Sequence, residues 1–465
     1  MRSNLQFFLK QQITNIFIRT SLQKSIYLRT CFRKNKEAEG RYDSVSIIPY
    51  MSSTKEPQSG LAEQATKVIK CDGDSISYLQ TPDFDCPQTA SGIQSAVKLI
   101  QSEDLVAFPT ETVYGLGASA LSSTAVSKIY KAKGRPSDNP LIVHVSSLNL
   151  LRTFIPPDWT FPATYQALTE RFWPGPLTLL VPTTSSILPN SPISNLVTCG
   201  LSTVAVRMPA HPISRALIAE SGVPIAAPSA NLSGRPSPTT AQHVERDLKT
   251  RIPMILDGGP CQVGVESTVV DGLNPDGRLR ILRLGGLSVE DIQTCLLEAG
   301  LDQSNGKPIL AGVYNQDYRD KELEAKPTTP GMKYKHYAPH AKIIILNPVL
   351  SDSHQDQING GADELISEIG RAGSESSKSL RIGLMMIEDS PLHKSSSIQN
   401  LGPELQPEIS AQRLFASLRY LDEQLEVDII YVERLSEIGL GATVMERLRK
   451  ASGQSSSPSV KMSHS

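Results

Sequence analysis

The stretch SGIQSAVKLIQSEDLVAFPTETVYGLGASA, residues 91–120, decides the fold. Its first half places Ile93, Val97 and Ile100 at helical spacing, which predicts an amphipathic helix. The apolar run LVAFP then predicts a short buried strand, and GLGAS follows it as a glycine-rich loop. A helix that leads directly into a buried strand indicates an α/β protein, and order is expected to begin near residue 90.

The same alternation continues to about residue 300. STAVSKIYKAKG predicts a second helix, with Ser123 or Thr124 as its N-cap and Gly134 just past its end. Short strands then alternate with helical stretches, which predicts a mixed twisted sheet covered by helices at 90–300. The predicted strands are PLIVHV, LTLLV, TVAVRM, PIAAP, MILDG, STVVD and RILRL.

A second, smaller domain is predicted after a linker. Residues 301–340 are polar, proline-bearing and without period, which is typical of a linker. Beyond them, the apolar strands AKIIILNP, RIGLMMI and VDIIYVERL alternate with the helical patterns ADELISEIGRAG and AQRLFASLRYLDEQL, and ATVMERLRKA forms a last helix. Strands joined by helical crossovers predict an open parallel α/β domain of Rossmann-like type at 341–451. The serine-rich tail at 452–465 is predicted to be disordered.

The N-terminal region, 1–50, differs in composition from the rest of the chain. Met1 to Lys36 contains eight Lys or Arg and no Asp or Glu, which is typical of an amphipathic mitochondrial presequence. A basic disordered arm is the alternative, because Gln and Asn interrupt its apolar face. A polar lead-in at 51–89 follows. If translation begins at both Met1 and Met51, the chain is expected in a cytoplasmic and a mitochondrial form.

Composition excludes several classes of function. With 46 basic and 47 acidic side chains, the chain has no excess charge with which to coat nucleic acid, so an anion must be bound locally. The six cysteines include no CxxC pair, which argues against a zinc site and a disulfide framework. No apolar run reaches the ~20 residues that span a bilayer, so no membrane contact is expected.

Common cofactor motifs also fail to match. The sequence has no GxxxxGK[ST] loop, and neither GLGAS at 115–119 nor GLGAT at 439–443 has the third glycine of a dinucleotide fingerprint. The eight histidines are dispersed. Neither a nicotinamide cofactor nor a metal held by protein ligands is therefore expected.

Polar side chains gather at the ends of the predicted strands, where the loops of α/β sheets bind ligands. Lys131 and Lys133 lie in the last turn of the second helix, and their alternative role is to complement the negative end of that helix. Arg207 and Arg283 lie in apolar strands, where a guanidinium group needs an anion or several acceptors. We therefore predict an anion site, with KAKGRPSDNP at 131–140 as one of its walls.

Seven motifs, taken in order, resemble the YrdC-like family, and specifically its two-domain members, the L-threonylcarbamoyladenylate synthases. They are PTETVYGLG, KAKGRPSDNPLIVHV, FWPGPLTLLV, TVAVRMP, PSANLSGRPSPT, DGG followed by VESTVVD, and PGMKYKHYAPHA. The match runs from about residue 90 to 450. Lys133 and Arg135 with Ser229 and Asn231 match the Lys-x-Arg and Ser-x-Asn pairing of that family.

The resemblance implies a reaction and its partners. L-threonine, bicarbonate or CO2, and ATP with Mg²⁺ would give threonylcarbamoyl-AMP and pyrophosphate. A separate threonylcarbamoyl transferase complex would then modify the adenosine beside the anticodon of tRNAs reading ANN codons (t6A). In such a nucleotidyl transfer charge develops on phosphate oxygens, so fixed Lys and Arg with Mg²⁺ are expected to matter more than a covalent nucleophile.

Residue roles follow from the same resemblance. Lys133 and Arg135 would be catalytic, with Lys133 placed where bicarbonate or the triphosphate binds. ATP would be bound by Arg135, Asn139, Thr203, Ser229, Asn231, Ser237, Arg283 and Tyr334. Threonine would be bound by Thr112, His144, Arg207, Ala227 and Ser267, with Arg207 suited to its carboxylate. The linker would cross the site, and Tyr334 would close it over ATP; a spacer that touches nothing is the alternative.

Two other classes of function remain open. An RNA-binding YrdC-like module without catalysis would contact tRNA through Lys131, Lys133 and Lys335, with an affinity that falls steeply with salt. A carbamoyl-adenylating enzyme of hydrogenase maturation would share the YrdC-like module. The sequence lacks the zinc-finger-like and acylphosphatase-like segments of those enzymes.

Overall fold

The computed structural model describes residues 65–78, 81–183, 192–304, 306–318, 328, 336–346, 380–388, 390 and 398–453. The helices are α1 (Pro87–Gln101), α2 (Ser123–Lys133), α3 (Leu148–Arg152), α4 (Ala163–Phe172), α5 (Asn195–Thr198), α6 (Pro212–Ser221), α7 (Ala241–Leu248), α8 (Val289–Glu298), α9 (Pro407–Arg419) and α10 (Leu440–Ser452). The strands of the first domain are β1 (Lys67–Lys70), β2 (Ile76–Tyr78), β3 (Pro82–Phe84), β4 (Val106–Phe108), β5 (Gly115–Ser119), β6 (Ile142–His144), β7 (Leu177–Pro182), β8 (Thr203–Arg207), β9 (Ile225–Ala226), β10 (Met254–Asp257), β11 (Thr268–Asp271) and β12 (Leu279–Arg283). The later strands are β13 (Gln303–Ser304), β14 (Lys307–Pro308), β15 (Leu310–Val313), β16 (Lys342–Leu346), β17 (Ile382–Met386), β18 (Ile398–Asn400) and β19 (Ile429–Glu433).

Eleven of the described strands form one mixed sheet, in the order β1-β10-β4-β5-β9-β6-β8-β7-β11-β12-β15. This confirms the mixed sheet predicted for the first domain. Strand β8 is parallel to β6 and antiparallel to β7, while β11 is parallel to β7 and antiparallel to β12. The carboxyl ends of β6, β8 and β12 therefore meet the amino ends of β7 and β11 at one edge of the sheet.

Helices cover both faces of this sheet, because successive side chains of a strand point to opposite sides. On β4, Phe108 packs in one buried cluster with residues of α1 and α6, such as Ile93 and Leu217. Its neighbour Ala107 belongs to a second cluster, which α2, α4, α7 and α8 supply. The sheet is thus a rigid frame on which the loops at its edges are mounted.

Helix α2 is fixed at both ends by local interactions. The hydroxyl of Ser122 accepts a hydrogen bond from the backbone N–H of Ala125 at 3.1 Å, which makes Ser122 the N-cap. The predicted cap at Ser123 or Thr124 is wrong, because Ser122 is the residue whose extended backbone lets its hydroxyl reach the first turn. Gly134 ends the helix with φ 61°, as predicted.

The C-terminal domain is a four-stranded parallel sheet among the described residues, in the order β16-β19-β17-β18. It confirms the three predicted strands and adds the short β18. The predicted helices AQRLFASLRYLDEQL and ATVMERLRKA correspond to α9, followed by a π-helical turn at Tyr420–Gln424, and to α10.

Apolar side chains join the two domains. Val113 and Val265 of the first domain are buried in the core of the second. Tyr337, from the segment between them, stacks on Phe415 of α9 with the ring centroids 5.3 Å apart. At Gly264, an added Cβ would lie 2.4 Å from Cα of Gln412, so the two backbones are in direct contact.

A buried network of charges adds to this interface. Arg419 of α9 donates to Asp247 of α7 at 2.7 Å and to Glu423 at 2.7 Å. Arg235 donates to the same two carboxylates at 2.8 and 2.6 Å. Two arginines thus face two carboxylates, which balances the charges that are removed from water.

Four predictions about local structure need correction. GLGAS is not a loop but strand β5, because it pairs with β4 and β9. Order does not begin near residue 90, because β1 pairs in parallel with β10. The segment from residue 301 is not entirely irregular, since β15 extends the large sheet beside β12. The tail cannot begin at 452, because α10 ends there.

Other predictions concern segments that the structure does not describe. The N-terminal extension with Met51, the helix ADELISEIGRAG and the tail beyond residue 453 lie outside the described residues. None of the described helices combines the length and apolar character needed to cross a lipid bilayer.

Candidate active site

A cleft with an empty volume of about 720 Å³ lies at the sheet edge where β6, β8 and β12 end. Its described lining is rich in hydroxyl groups and cations. The lining residues that the sequence predicted are Thr112, Lys133, Arg135, His144, Arg207, Ala227, Ser229, Asn231, Ser237, Ser267 and Arg283.

Lys133, the last residue of α2, is only 3% exposed. Its Nζ donates to the carbonyl of Ser229 and, at 2.5 Å, to the carbonyl of Asn231. Burial and the nearby charge of Arg135 hold the pKa of Lys133 well below its usual range. The Lys-x-Arg and Ser-x-Asn motifs are therefore in contact, as the predicted pairing requires.

Arg135 is positioned by the turn that follows α2. Its Nε and Nη2 donate to the carbonyl of Asn139 at 3.3 Å, and Nη2 also donates to that of Pro140 at 3.2 Å. Burial lowers the pKa of Arg135 to about 10, so its guanidinium group still carries a charge at neutral pH. On the facing loop, Ser229 Oγ donates to Asn231 Oδ1 at 2.6 Å.

Arg207, at the end of β8, is held by three groups. Its Nη2 donates to Glu111 Oε1 at 2.5 Å, its Nη1 to Thr112 Oγ1 at 2.7 Å and its Nε to the Gly175 carbonyl at 3.2 Å. The second oxygen of Glu111 accepts from the backbone N–H of Ala210 at 2.9 Å. Glu111 therefore orients the guanidinium group that faces the cleft.

His144 is 4% exposed and lies edge-on to Phe108, with the ring centroids 6.3 Å apart. Burial, reinforced by the charge of Arg207, lowers the pKa of His144 to about 3. Its imidazole ring is therefore neutral at physiological pH. Nδ1 has no hydrogen-bond partner among the described residues.

The opposite wall is built from β11 and β12. Arg283 Nη2 donates to the carbonyl of Ser267 at 2.8 Å and to its hydroxyl at 3.1 Å. The hydroxyls of Ser267 and Thr178 lie 2.7 Å apart. This wall thus places one guanidinium group beside a pair of hydroxyls.

Ser237 and Glu266 form the part of the lining nearest the C-terminal domain. Ser237 Oγ donates to Glu266 Oε1 at 2.6 Å, and Arg447 of α10 donates through Nε to Glu266 Oε2 at 2.9 Å. Burial opposes ionisation of Glu266, but Arg447 and Arg283 outweigh it and keep the pKa of this carboxyl below its usual value.

The segment between the domains also reaches the cleft. His336 and Tyr337 both line it, which supports the predicted crossing rather than a spacer that touches nothing. Burial and then the charge of Arg135 lower the pKa of His336 to about 3. Tyr334 and Lys335 lie outside the described residues.

Two predicted residues are not among those lining the cleft. Thr203 begins β8 and Arg207 ends it, so they are about 13 Å apart at ~3.3 Å per residue. Asn139 contributes its carbonyl to Arg135, while its buried Oδ1 has no partner among the described residues. The ATP contacts predicted for these two residues stay predictions.

Sequence reasoning assigned no role to several groups at the cleft. Three of the motifs contain these groups: PTETVYG contains Glu111, VESTVVD contains Glu266, and PGMKYKHYAPHA contains His336 and Tyr337. Because the same motifs contain residues that were assigned to the site, the sequence could have indicated these four residues. Arg447 had no such indication, because it lies in an ordinary amphipathic helix of the other domain.

Two family models match consecutive parts of the chain. One, described as Telomere recombination and named for Sua5, YciO and YrdC, matches residues 98–285. The other, described as the threonylcarbamoyl-AMP synthase C-terminal domain, matches residues 287–453. Both domains are therefore covered by models of one kind of protein.

Individual relatives agree over most of their length. A threonylcarbamoyl-AMP synthase of Schizosaccharomyces pombe is 43% identical over 384 residues, which is 78% of this chain and 89% of the relative. That of Bacillus subtilis is 43% identical over 368 residues, covering 78% and 93%. A crystal structure of Pyrococcus abyssi Sua5 in complex with L-threonine is 38% identical and superposes with a TM-score of 0.66, covering 84% of this chain and 98% of the other.

The fold and the cleft together define a two-domain YrdC-like enzyme. Lys-x-Arg and Ser-x-Asn meet in its first domain, and its second domain is of the synthase type. The chain belongs to the threonylcarbamoyl-AMP synthase family, whose members are nucleotidyltransferases of tRNA modification.

The alternative of a non-catalytic RNA-binding module is not favoured. Its proposed contact Lys133 is buried and bonded to two carbonyls, so it is not available to a nucleic acid. The hydrogenase-maturation alternative does not account for the C-terminal domain match at 287–453.

Proposed function

We propose that this chain condenses L-threonine, bicarbonate or CO2, and ATP into threonylcarbamoyl-AMP and pyrophosphate. The observation that carries the proposal is that one cleft contains both motif pairs, Lys133 with Ser229 and Arg207 with Thr112. The first pair belongs to the wall proposed for ATP and the second to the wall proposed for threonine. Two reactants can thus be held side by side, which lowers the entropic part of the barrier.

The threonine amine must add to CO2, directly or from bicarbonate with loss of water, to form a carbamate. A carbamate oxygen then attacks the α-phosphorus of ATP, and the bond to pyrophosphate breaks. His144 is a poor candidate for the proton acceptor, because a ring with a pKa of about 3 has little basicity at neutral pH. We therefore assign His144 to binding threonine.

Lys133 and Arg135 supply the charge that the reaction needs. Two of the three Nζ–H groups of Lys133 are used by carbonyls, which leaves one for a ligand oxygen. The hydrogen bonds of Arg135 to described residues come from Nε and Nη2, so Nη1 can donate to a ligand. Both donors are fixed before the substrate arrives, so they can stabilise charge on phosphate oxygens without reorganisation.

Arg207 provides the proposed site for the threonine carboxylate. Three of its five N–H groups are bonded to Glu111, Thr112 and Gly175, and two remain. Because Glu111 fixes the plane of the guanidinium group, the carboxylate would meet a donor that already points in one direction.

Mg²⁺ would enter with ATP. Among the described lining residues, Glu266 has the only carboxylate, and Ser237 and Arg447 already occupy both of its oxygens. This fits a Mg²⁺ ion that is bound through phosphate oxygens and water rather than by a protein cage. The ion would neutralise charge on the triphosphate.

The wider biology is part of the proposal. The product would pass to a threonylcarbamoyl transferase complex for t6A formation in tRNA, and a direct tRNA contact is one of its expectations. A mitochondrial form beside the cytoplasmic one rests on the composition of residues 1–50.

The test is pyrophosphate release by the purified 465-residue chain with Mg-ATP, to which L-threonine and bicarbonate are added singly and together, with mass spectrometry of the product. We expect release only with both, and an adduct of threonine, one carbonyl and AMP. Lys133→Met should lower the rate by about 100-fold or more, as for loss of one donor to a developing charge.

A matched control lies in the same helix. Lys128 forms a surface ion pair with Asp104 at 3.3 Å, so Lys128→Met should keep the wild-type rate. Release without threonine, or no release with both substrates present, would contradict the proposed reaction.

A further inference from the structure

Arg447 of the C-terminal helix α10 contacts the cleft wall from behind. It is 1% exposed and is not itself among the lining residues. Its Nε donates to Glu266, its Nη2 to the carbonyl of Leu284 at 2.6 Å, and its guanidinium carbon lies 5.1 Å from the centre of the Tyr337 ring. It therefore contacts two residues that line the cleft, Glu266 and Tyr337, and also Leu284, which directly follows the lining residue Arg283.

The charge on Glu266 makes this contact significant. Most of the charged groups lining the cleft are cationic, whereas Glu266 presents a carboxylate to it. A buried carboxylate without a counter-charge would repel a triphosphate at short range, because screening by water is weak there. Arg283 offsets part of this charge, and the guanidinium group of Arg447, which also pairs with Glu446 at 2.5 Å, compensates it from the side that faces away from the cleft.

The same contact fixes the direction of a hydrogen bond. Since both oxygens of an ionised Glu266 are acceptors, the Ser237 hydroxyl must donate its proton to Oε1. Ser237 then offers only lone pairs to a ligand. It is suited to accept from a hydroxyl or amino group, such as those of a nucleoside, and not to donate to a phosphate oxygen.

We infer that Arg447 is a positioning residue through which the C-terminal domain prepares the nucleotide wall, by holding Glu266 and Ser237 in the orientation that receives ATP. This inference rests on the proposed function for the identity of the nucleotide. It gives the C-terminal domain a role in substrate binding, because the contact spans 181 positions of the chain.

The experiment measures ATP affinity by titration calorimetry in the full chain, and ATP KM, threonine KM and kcat in the pyrophosphate assay. We expect Arg447→Met to weaken ATP binding by about tenfold, equivalent to 1.4 kcal/mol, while threonine KM changes by less than about twofold. Arg447→Lys keeps the positive charge but loses the planar set of guanidinium N–H donors, so it should give an intermediate affinity for ATP.

A double-mutant cycle separates positioning from general damage. In the Glu266→Gln background there is no carboxylate to compensate, so Arg447→Met should weaken ATP binding by only about twofold further. Arg449→Met is the matched control, because Arg449 lies on the same helix and pairs with Glu437. It should keep wild-type affinity.

Several outcomes would overturn the inference: folded Arg447→Met with wild-type ATP affinity, equal losses of ATP and threonine binding, or losses that simply add to those of Glu266→Gln. If Arg447→Met does not fold, the ATP affinities and the threonine KM values of Arg447→Lys and of the double variant are judged by the same criteria. A wild-type chain that binds ATP but releases no pyrophosphate would contradict the proposed function alone. A wild-type chain that does not bind ATP would contradict both.

Discussion

Burial disfavours the charged form of the titratable side chains that line the cleft. Lys133 and His144 are nearly inaccessible, and burial lowers the pKa of each, because water no longer stabilises the charged form. Lys133 is compensated by two carbonyls, whereas His144 stays neutral beside Arg207. The cleft thus keeps its positive charge on groups that have acceptors and avoids a second cation next to Arg207.

His144 gives a testable dependence of stability on pH. Its pKa is about 3 in the folded chain and near 6.5 when unfolded, so between these values the unfolded chain binds one more proton. Stability is therefore fully present above pH 6.5 and is lost as the pH falls, by about 1.4 kcal/mol per pH unit. His144→Gln should therefore reduce the slope of the free energy of unfolding against pH by about 1.4 kcal/mol per pH unit in this range.

The measurement is urea unfolding of both proteins at several pH values. Between pH 7.5 and 8.5 the two curves should run parallel, which serves as the internal control. Equal slopes between pH 4.5 and 6 would show that His144 is not neutral in the folded state.

Helix α2 connects local sequence to the chemistry of the site. Its cap at Ser122 and its end at Gly134 fix where the helix stops, and this places Lys133 and Arg135 on either side of the turn. The hydrogen bond from the Ser233 backbone N–H to the Lys133 carbonyl ties that turn to the facing loop. The exact end of the helix therefore determines whether the two motifs meet.

Gly134→Ala tests this dependence. At φ 61° an alanine is strained by about 1 kcal/mol, although nothing lies within 4 Å of its Cβ. We expect a loss of about that size in the free energy of unfolding, and a several-fold lower rate of pyrophosphate release because relaxation of the strain moves Lys133 and Arg135.

Gly222→Ala is its control at the end of α6. That glycine has φ 68° and equally open surroundings, but it does not line the cleft. It should lose the same stability and keep its activity. Equal activities of the two variants would mean that the turn after α2 does not position the reactive groups.

Both domains contribute to one site, so their contact should govern stability and activity together. Val113, Val265 and Phe415 share a core, and the Arg235 and Arg419 network closes the interface beside the Ser-x-Asn loop. Loosening this contact should disturb cleft groups such as Glu266, which Arg447 of the C-terminal domain holds.

Gly264→Ala is the sharpest such change. With φ 78°, the added Cβ would lie 2.4 Å from Cα of Gln412, and a backbone atom cannot move aside easily. Gly259→Ala has φ 82° and nothing within 4 Å, so it carries the same backbone strain without the clash. We expect Gly264→Ala to lose about 1–3 kcal/mol more than the control.

Urea unfolding measures this difference, and the pyrophosphate assay measures its effect on catalysis. The ATP KM of Gly264→Ala should rise, while that of Gly259→Ala stays at the wild-type value. Matching stabilities would indicate that the two domains are not packed backbone to backbone at Gly264.

Sequence reasoning predicted what depends on local patterns. Gly134, predicted from local spacing to lie just past the end of the second helix, is found there with φ 61°. Most strands of both sheets follow from apolar runs bounded by turn residues. The cleft residues of the strand ends could be predicted because parallel strands bring their carboxyl ends to one edge.

Features that depend on distant pairing could not be predicted. KVIK in β1 is exposed on most positions and becomes a strand only because β10 pairs with it. The charged partner of Glu266 comes from another domain, and no local pattern marks Arg447. The resemblance gave Thr203 a role in binding ATP but no position, and Thr203 is not among the described residues that line the cleft.

The order of synthesis gives the Glu266–Arg447 pair a biological consequence. A ribosome completes Ser237 and Glu266 long before it reaches Arg447, 181 residues after Glu266. Until then, Glu266 has Arg283 beside it but lacks the guanidinium group of Arg447. A chain released before Arg447 is added should therefore bind ATP less tightly than the full chain, by about the tenfold expected for Arg447→Met.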